Sequence, residues 1–102
     1  MDGPRWTETW GDPTHKYIPH MANDMAPYGI VSTAFRNNGP TYTNAGHTAL
    51  TTGIYQNIKN NGLEFPKNPS MFQYWLKATG KARTAAYVIA SKDKLAILTD
   101  CR

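Results

Sequence analysis

Ala85-Ala86-Tyr87-Val88-Ile89-Ala90 is a nearly continuous apolar run of strand length, and few environments accept such a run. It reads as a strand buried on both faces of a parallel sheet. Ile30-Val31-Ser32-Thr33-Ala34-Phe35 is similarly short and β-branched, and it ends in the turn-forming Arg36-Asn37-Asn38-Gly39-Pro40. Between and around these runs the spacing is helical. Ile18, Met21, Ala22 and Met25 share one helical face, closed by Pro27-Tyr28-Gly29. A second helix is expected from about Asn44 to Thr52, stopped by Gly53, and a third over Met71–Thr79, with Ser70 as its N-cap and Gly80 as its stop. Helices alternating with strands predict an α/β architecture, a partial doubly wound sheet layered with helices.

The remaining segments are mostly connections. Residues 1–16 are rich in Gly, Pro, Thr and Trp and lack either periodicity, so they read as loop. Residues 54–69 carry Asn57, Asn60, Asn61, Gly62, Pro66, Asn68 and Pro69, a composition that favours an exposed connection. Lys94-Leu95-Ala96-Ile97-Leu98 suits a helical turn or a strand equally. A chain of 102 residues is one domain at most. Its net charge of +4 comes from 11 Lys and Arg against 7 Asp and Glu. Those bases are scattered and form no basic tail, which argues against a dedicated nucleic-acid binder. One cysteine, Cys101, excludes an internal disulfide framework and a four-cysteine zinc site. No apolar run approaches a membrane span, and the first residues lack a signal-peptide layout.

Most of the chemistry is concentrated in Thr41-Tyr42-Thr43-Asn44-Ala45-Gly46-His47-Thr48-Ala49-Leu50-Thr51-Thr52-Gly53. Taken alone, Thr43 is most simply an N-cap. The other reading is a hydroxyl presented for reaction at a helix end, followed by residues small enough to let a phosphate approach the backbone. His47, one turn on, suits a supporting hydrogen bond better than a ligand role. Asp2 alone would be a solvated terminal residue, and His15 and His20 have no metal-ligand spacing. Phe72, Tyr74 and Trp75 read as core and helix surface rather than as a platform for stacked bases.

Three segments, taken in order, resemble the alkaline phosphatase superfamily, and within it the type I phosphodiesterase and nucleotide pyrophosphatase branch. Asp2-Gly3-Pro4-Arg5 is similar to that family's Asp-Gly-x-Arg. Thr43-Asn44-Ala45-Gly46-His47 with Leu50-Thr51-Thr52-Gly53 looks like its Thr-x-Pro-x-His motif and the following Thr-Gly, with Ala45 in place of the proline. Met71 to Ile89 is similar to the helix and strand that come next.

The resemblance implies a metal-dependent phosphoric ester hydrolase acting on phosphodiesters or pyrophosphates, and therefore a small phosphate-ester substrate. It implies two divalent metals, usually zinc, about 4 Å apart. Asp2 would be a metal ligand, Thr43 both a metal ligand and the nucleophile, and Asn44 a substrate-binding residue. A phosphothreonine intermediate would be hydrolysed by a water activated on the second metal. Only Met1 precedes Asp2, where the family has a strand, and the family's remaining Asp and His ligands lie far downstream. Residues 1–102 therefore read as the N-terminal portion of one alkaline phosphatase-like catalytic domain, inactive alone. Family members are often periplasmic or secreted. The alternative is a small basic nucleic-acid-binding or interaction domain without catalysis.

Overall fold

The computed structural model describes residues 4–101, so Asp2 and the Asp-Gly pair lie outside the described residues. The chain divides into two compact units, residues 1–36 and 37–102. Each is built by different means.

In the first unit short-range hydrogen bonds dominate. A 3-10 turn at Trp6–Glu8 is followed by a tight reversal in which the Gly11 N–H donates to the Trp6 carbonyl at 2.8 Å. A side chain at Gly11 would collide with the Trp6 ring, so only glycine fits that approach. Asp12 then organises the next turn, its Oδ1 accepting from the Thr14 amide at 2.9 Å and the Thr14 hydroxyl at 2.7 Å. These bonds, joined by the positive charge of Lys16 and His15, hold the Asp12 carboxyl below the usual carboxylate range. The predicted Ile18–Met25 helix is present in modified form: a π-helix at His20–Met25 runs into a 3-10 turn at Ala26–Tyr28. Pro27 sits in the first turn of that 3-10 segment, where a missing N–H does no harm. His20 Nδ1 lies 2.6 Å from Asp24 Oδ2 on an exposed face.

The second unit holds the two regular helices, α1 at Thr43–Thr52 and α2 at Met71–Thr79. Both stop at a glycine in the left-handed region, Gly53 with φ 72° and Gly80 with φ 65°, as their sequences predict. Ser70 and Gln73 form a reciprocal capping box at the start of α2, the Ser70 Oγ accepting the Gln73 N–H and the Gln73 side chain accepting the Ser70 N–H. A 3-10 helix over Asp93–Thr99 resolves the ambiguity of the last apolar stretch and lies against α1. Its Ile97 and Leu98, with Ile58, form the core, and Phe65, Val88 and Leu95 pack around them.

The predicted α/β sheet is not formed. Among the described residues there is no strand. Ile30–Phe35 bends through a turn at Thr33-Ala34 and leaves Ile30 99% and Phe35 68% exposed. Arg83–Ala85 winds into a 3-10 turn before Ala86 becomes extended, at φ −140° and ψ 133°. Beyond it burial alternates: Ala86 and Val88 are half-buried, Tyr87 and Ile89 exposed. That is the pleat of a strand with no ladder beside it. The expectation failed for a physical reason, since β-branching and hydrophobicity specify a pleated, half-buried backbone but not a neighbour to pair with. None of the described helices is long and apolar enough to cross a membrane.

Candidate functional site at the start of α1

α1 begins without a side-chain cap. Tyr42 is the N-cap, extended at φ −66° and ψ 159°, and its side chain accepts no hydrogen bond from the helix. Thr43 is thus the first helical residue and not the cap. Thr43 is half-buried, and its hydroxyl is outside the hydrogen-bond network of the described residues. Its carbonyl is engaged: His47 Nδ1 lies 2.8 Å from the Thr43 oxygen. A carbonyl can only accept, so Nδ1 is the donor in this contact. His47 therefore braces the first turn from one turn below.

The three residues after Thr43 are fully enclosed. Asn44, Ala45 and Gly46 are all buried, and a Cβ on Gly46 would stand 3.3 Å from the Thr41 carbonyl oxygen. The incoming chain thus crosses the helix at a distance that suits glycine. Asn44 is tied inward twice. Its N–H donates to Asn60 Oδ1 at 3.0 Å, and its Nδ2 donates to the Lys94 carbonyl at 2.8 Å. Lys94 Nζ reaches back to the Asn60 carbonyl at 3.5 Å. Asn44 consequently positions the helix start by joining it to the 54–69 connection and the last 3-10 helix. Its side chain faces the interior rather than an approaching ligand.

The other threonines of α1 differ from Thr43. Thr51 and Thr52 return their hydroxyls to carbonyls one turn back, at His47 and Thr48 respectively. Thr48 is wholly buried, and its Oγ1, like Asn44 Oδ1, meets no hydrogen-bond partner among the described residues. These two atoms lie one helical turn apart on the face of α1 that packs inward.

Of the residues expected at the site, the described structure shows Thr43 and Asn44, while Asp2 falls outside it. No group of three or more His, Cys, Asp or Glu among the described residues could hold a metal ion. The donor set near Thr43 is neutral, made of hydroxyls, amides and one imidazole, so these residues alone do not fit a two-metal centre. Sequence reasoning missed Asn60 and Lys94. Composition placed Asn60 in a connection and Lys94 among scattered bases, and neither carries a local sign of its contact with α1.

A separate groove of about 150 Å³ lies between α2 and the 86–88 and 98–100 segments. Phe72, Leu76, Val88 and Leu98 supply its apolar wall, and Gln73, Arg83 and Asp100 its polar edge. It includes no residue of α1.

No protein-family model matches the chain, and no curated protein or solved structure matches it either.

Proposed function

We propose that the chain belongs to a metal-dependent phosphoric ester hydrolase that cleaves phosphodiesters or pyrophosphates with Thr43 as nucleophile. The observation that carries this reading is the position of Thr43. It heads α1 without capping it, and its hydroxyl is not committed to another group among the described residues. A hydroxyl at a helix N-terminus sits in the positive end of the helix dipole, which stabilises an alkoxide and attracts a phosphoryl group. His47 and Asn44 hold that end in place through the Thr43 carbonyl and through the Asn60 and Lys94 contacts.

In the proposed reaction the Thr43 oxygen forms a bond to phosphorus, the ester P–O bond breaks, and the leaving oxygen departs and takes up a proton. Water then cleaves the phosphothreonine, releasing the phosphate product and restoring the hydroxyl. Two divalent metals, zinc by resemblance, would supply charge neutralisation and acidify the attacking groups. Asp2 and Thr43 would be two of their ligands, the others coming from outside the described residues.

Thr43→Ala in the full-length protein tests the reading, with bis(p-nitrophenyl) phosphate as substrate and zinc supplied. Turnover should fall by about three orders of magnitude or more, as for removal of other covalent nucleophiles. Circular dichroism should be unchanged, and acid-quenched wild-type protein should carry a p-nitrophenyl phosphoryl group on Thr43 by mass spectrometry. Undiminished turnover in the alanine variant would exclude Thr43 as the nucleophile.

A further inference from the structure

α2 is apolar on two faces. Phe72 and Leu76 point into the groove described above and are half-buried. On the opposite side Met71, Tyr74, Trp75 and Ala78 are exposed, the first three at 54%, 60% and 42%. Their spacing is i, i+3, i+4, i+7. At about 100° per residue this places all four on one stripe, two turns and roughly 10 Å long. A helix apolar on both sides belongs in an interior or beneath a partner. Stripes of this spacing are what helix-in-groove and helix-on-helix recognition use.

Charge identifies the partner. From Phe65 to Lys92 the chain carries Lys67, Lys77, Lys81, Arg83 and Lys92 and no Asp or Glu. Lys77 is exposed on α2 beside the stripe, next round from Tyr74. Lys81 stands at the other margin, its Nζ 5.3 Å from the centre of the Trp75 ring. A second copy of the chain would bring two such basic margins together, which repulsion disfavours. A nucleic acid would need cations in a row along its backbone, whereas here the centre is apolar and the cations flank it.

We infer that the outer face of α2 docks an acidic amphipathic helix of a partner protein. Its apolar side covers Met71, Tyr74, Trp75 and Ala78, and its carboxylates meet Lys77 and Lys81. The stripe is small beside a standard interface of about 1,600 Å², so the contact is a weak one, in the micromolar range.

The inference is independent of the role of Thr43, and its test needs no catalytic readout. Two fluorescein-labelled helical peptides share a leucine stripe at i, i+3, i+4, i+7, one flanked by glutamates and the other by lysines. Fluorescence anisotropy measures their binding to the full chain. The glutamate peptide should bind at least about tenfold more tightly than the lysine peptide. Exchanging both flanking bases, Lys77→Glu with Lys81→Glu, should reverse that preference. Tyr74→Ser with Trp75→Ser should abolish binding of both peptides while far-UV circular dichroism is kept. Because the charge-swap variant alters only exposed side chains, it remains informative even where the serine variant folds poorly. Equal affinity for the two peptides would overturn the inference. So would binding insensitive to the charge swap, tighter capture of a single-stranded oligonucleotide, or dimerisation through this face in sedimentation.

Discussion

Residues 4–36 and residues 37–101 are stabilised by different physics. In the first region Ile18 is the one buried apolar residue among those described, and the hydrogen bonds join residues two to five apart, as at Asp12–Thr14 and Trp6–Gly11. In the second, Ile58, Ile97 and Leu98 close a core across some forty positions of chain, and Asn44 is bonded to a residue fifty positions away. The charge divides along the same line. Residues 1–36 hold Arg5, Lys16 and Arg36 against Asp2, Glu8, Asp12 and Asp24, so the positive excess lies entirely in residues 37–102. Local bonds can shape a segment, but only long-range burial makes its unfolding cooperative. Opening free energies should therefore be low throughout the first region and highest around Ile97 in the second.

The sharpest break of that contrast is Ile97→Ala. Ile97 is 1% exposed at the centre of the small core, so truncation removes buried methylenes and leaves a cavity that few neighbours can fill. A loss of about 2–5 kcal/mol is expected. Because so small a core has little reserve, the chemical-denaturation midpoint of residues 37–101 should drop towards zero. Retention of a sharp transition would mean that the Ile58–Ile97–Leu98 core is not what holds the region together.

A smaller change separates capping from burial. Ser70→Ala removes the hydroxyl that accepts the Gln73 N–H and breaks the box at the head of α2. The expected loss is about 1 kcal/mol. It should show as faster amide exchange in the first turn of α2. Trp6–Glu8, His20–Met25 and Ala26–Tyr28 have no side-chain cap to remove, so α2 alone among these segments has this sensitivity.

Features that depend on near neighbours in sequence were legible. Ser70 and Gly80 bound α2 and Gly53 ends α1 because caps and left-handed stops are set by the residue itself. The sheet was misread because a strand exists only when paired, and nothing within Ile30–Phe35 or Ala85–Ala90 states whether a partner is present. The same reasoning explains the site. Thr43 could be singled out from its small neighbours and its place at a helix start, although its assignment as N-cap moved to Tyr42 once φ and ψ were known. The inward bonds of Asn44 could not be foreseen, since Asn60 and Lys94 are sixteen and fifty residues away. The apolar spacing predicts an ordinary helix at His20–Met25, because over so few residues it does not separate that winding from the π-helix observed.

Thr48→Val examines the interior face of α1 in the opposite direction. The Thr48 hydroxyl is buried without a partner among the described residues, so the native residue carries a desolvation cost with no compensating bond there. Valine keeps the shape and removes the polar atom. Stability should rise by up to about 1 kcal/mol, read as a higher denaturation midpoint. Asn44, one turn earlier, should respond differently, because its Nδ2 bond to the Lys94 carbonyl would be lost with the side chain. A destabilised Thr48→Val variant would mean that the hydroxyl has a partner after all.

The smallest effect belongs to the first region and depends on pH. Asp12 is held below its ordinary pKa first by the Thr14 hydroxyl, then by the Thr14 amide, with lesser help from Lys16 and His15. A carboxylate with a depressed folded-state pKa stabilises fully above its unfolded pKa, and that contribution is lost as pH falls through the folded value. Protection of the Thr14 amide should therefore be constant from neutral pH down to the usual carboxylate range and decline only below it. Asp12→Ala should abolish the acid-dependent step and leave the Thr14 amide weakly protected at every pH. Asp12 is only half-buried, so solvent screens the interaction and global stability should barely respond. A Thr14 titration midpoint at or above the ordinary aspartate value would show that the turn does not hold the charge. The Asp12–Thr14 turn would then be held without the charge stabilisation assigned to it.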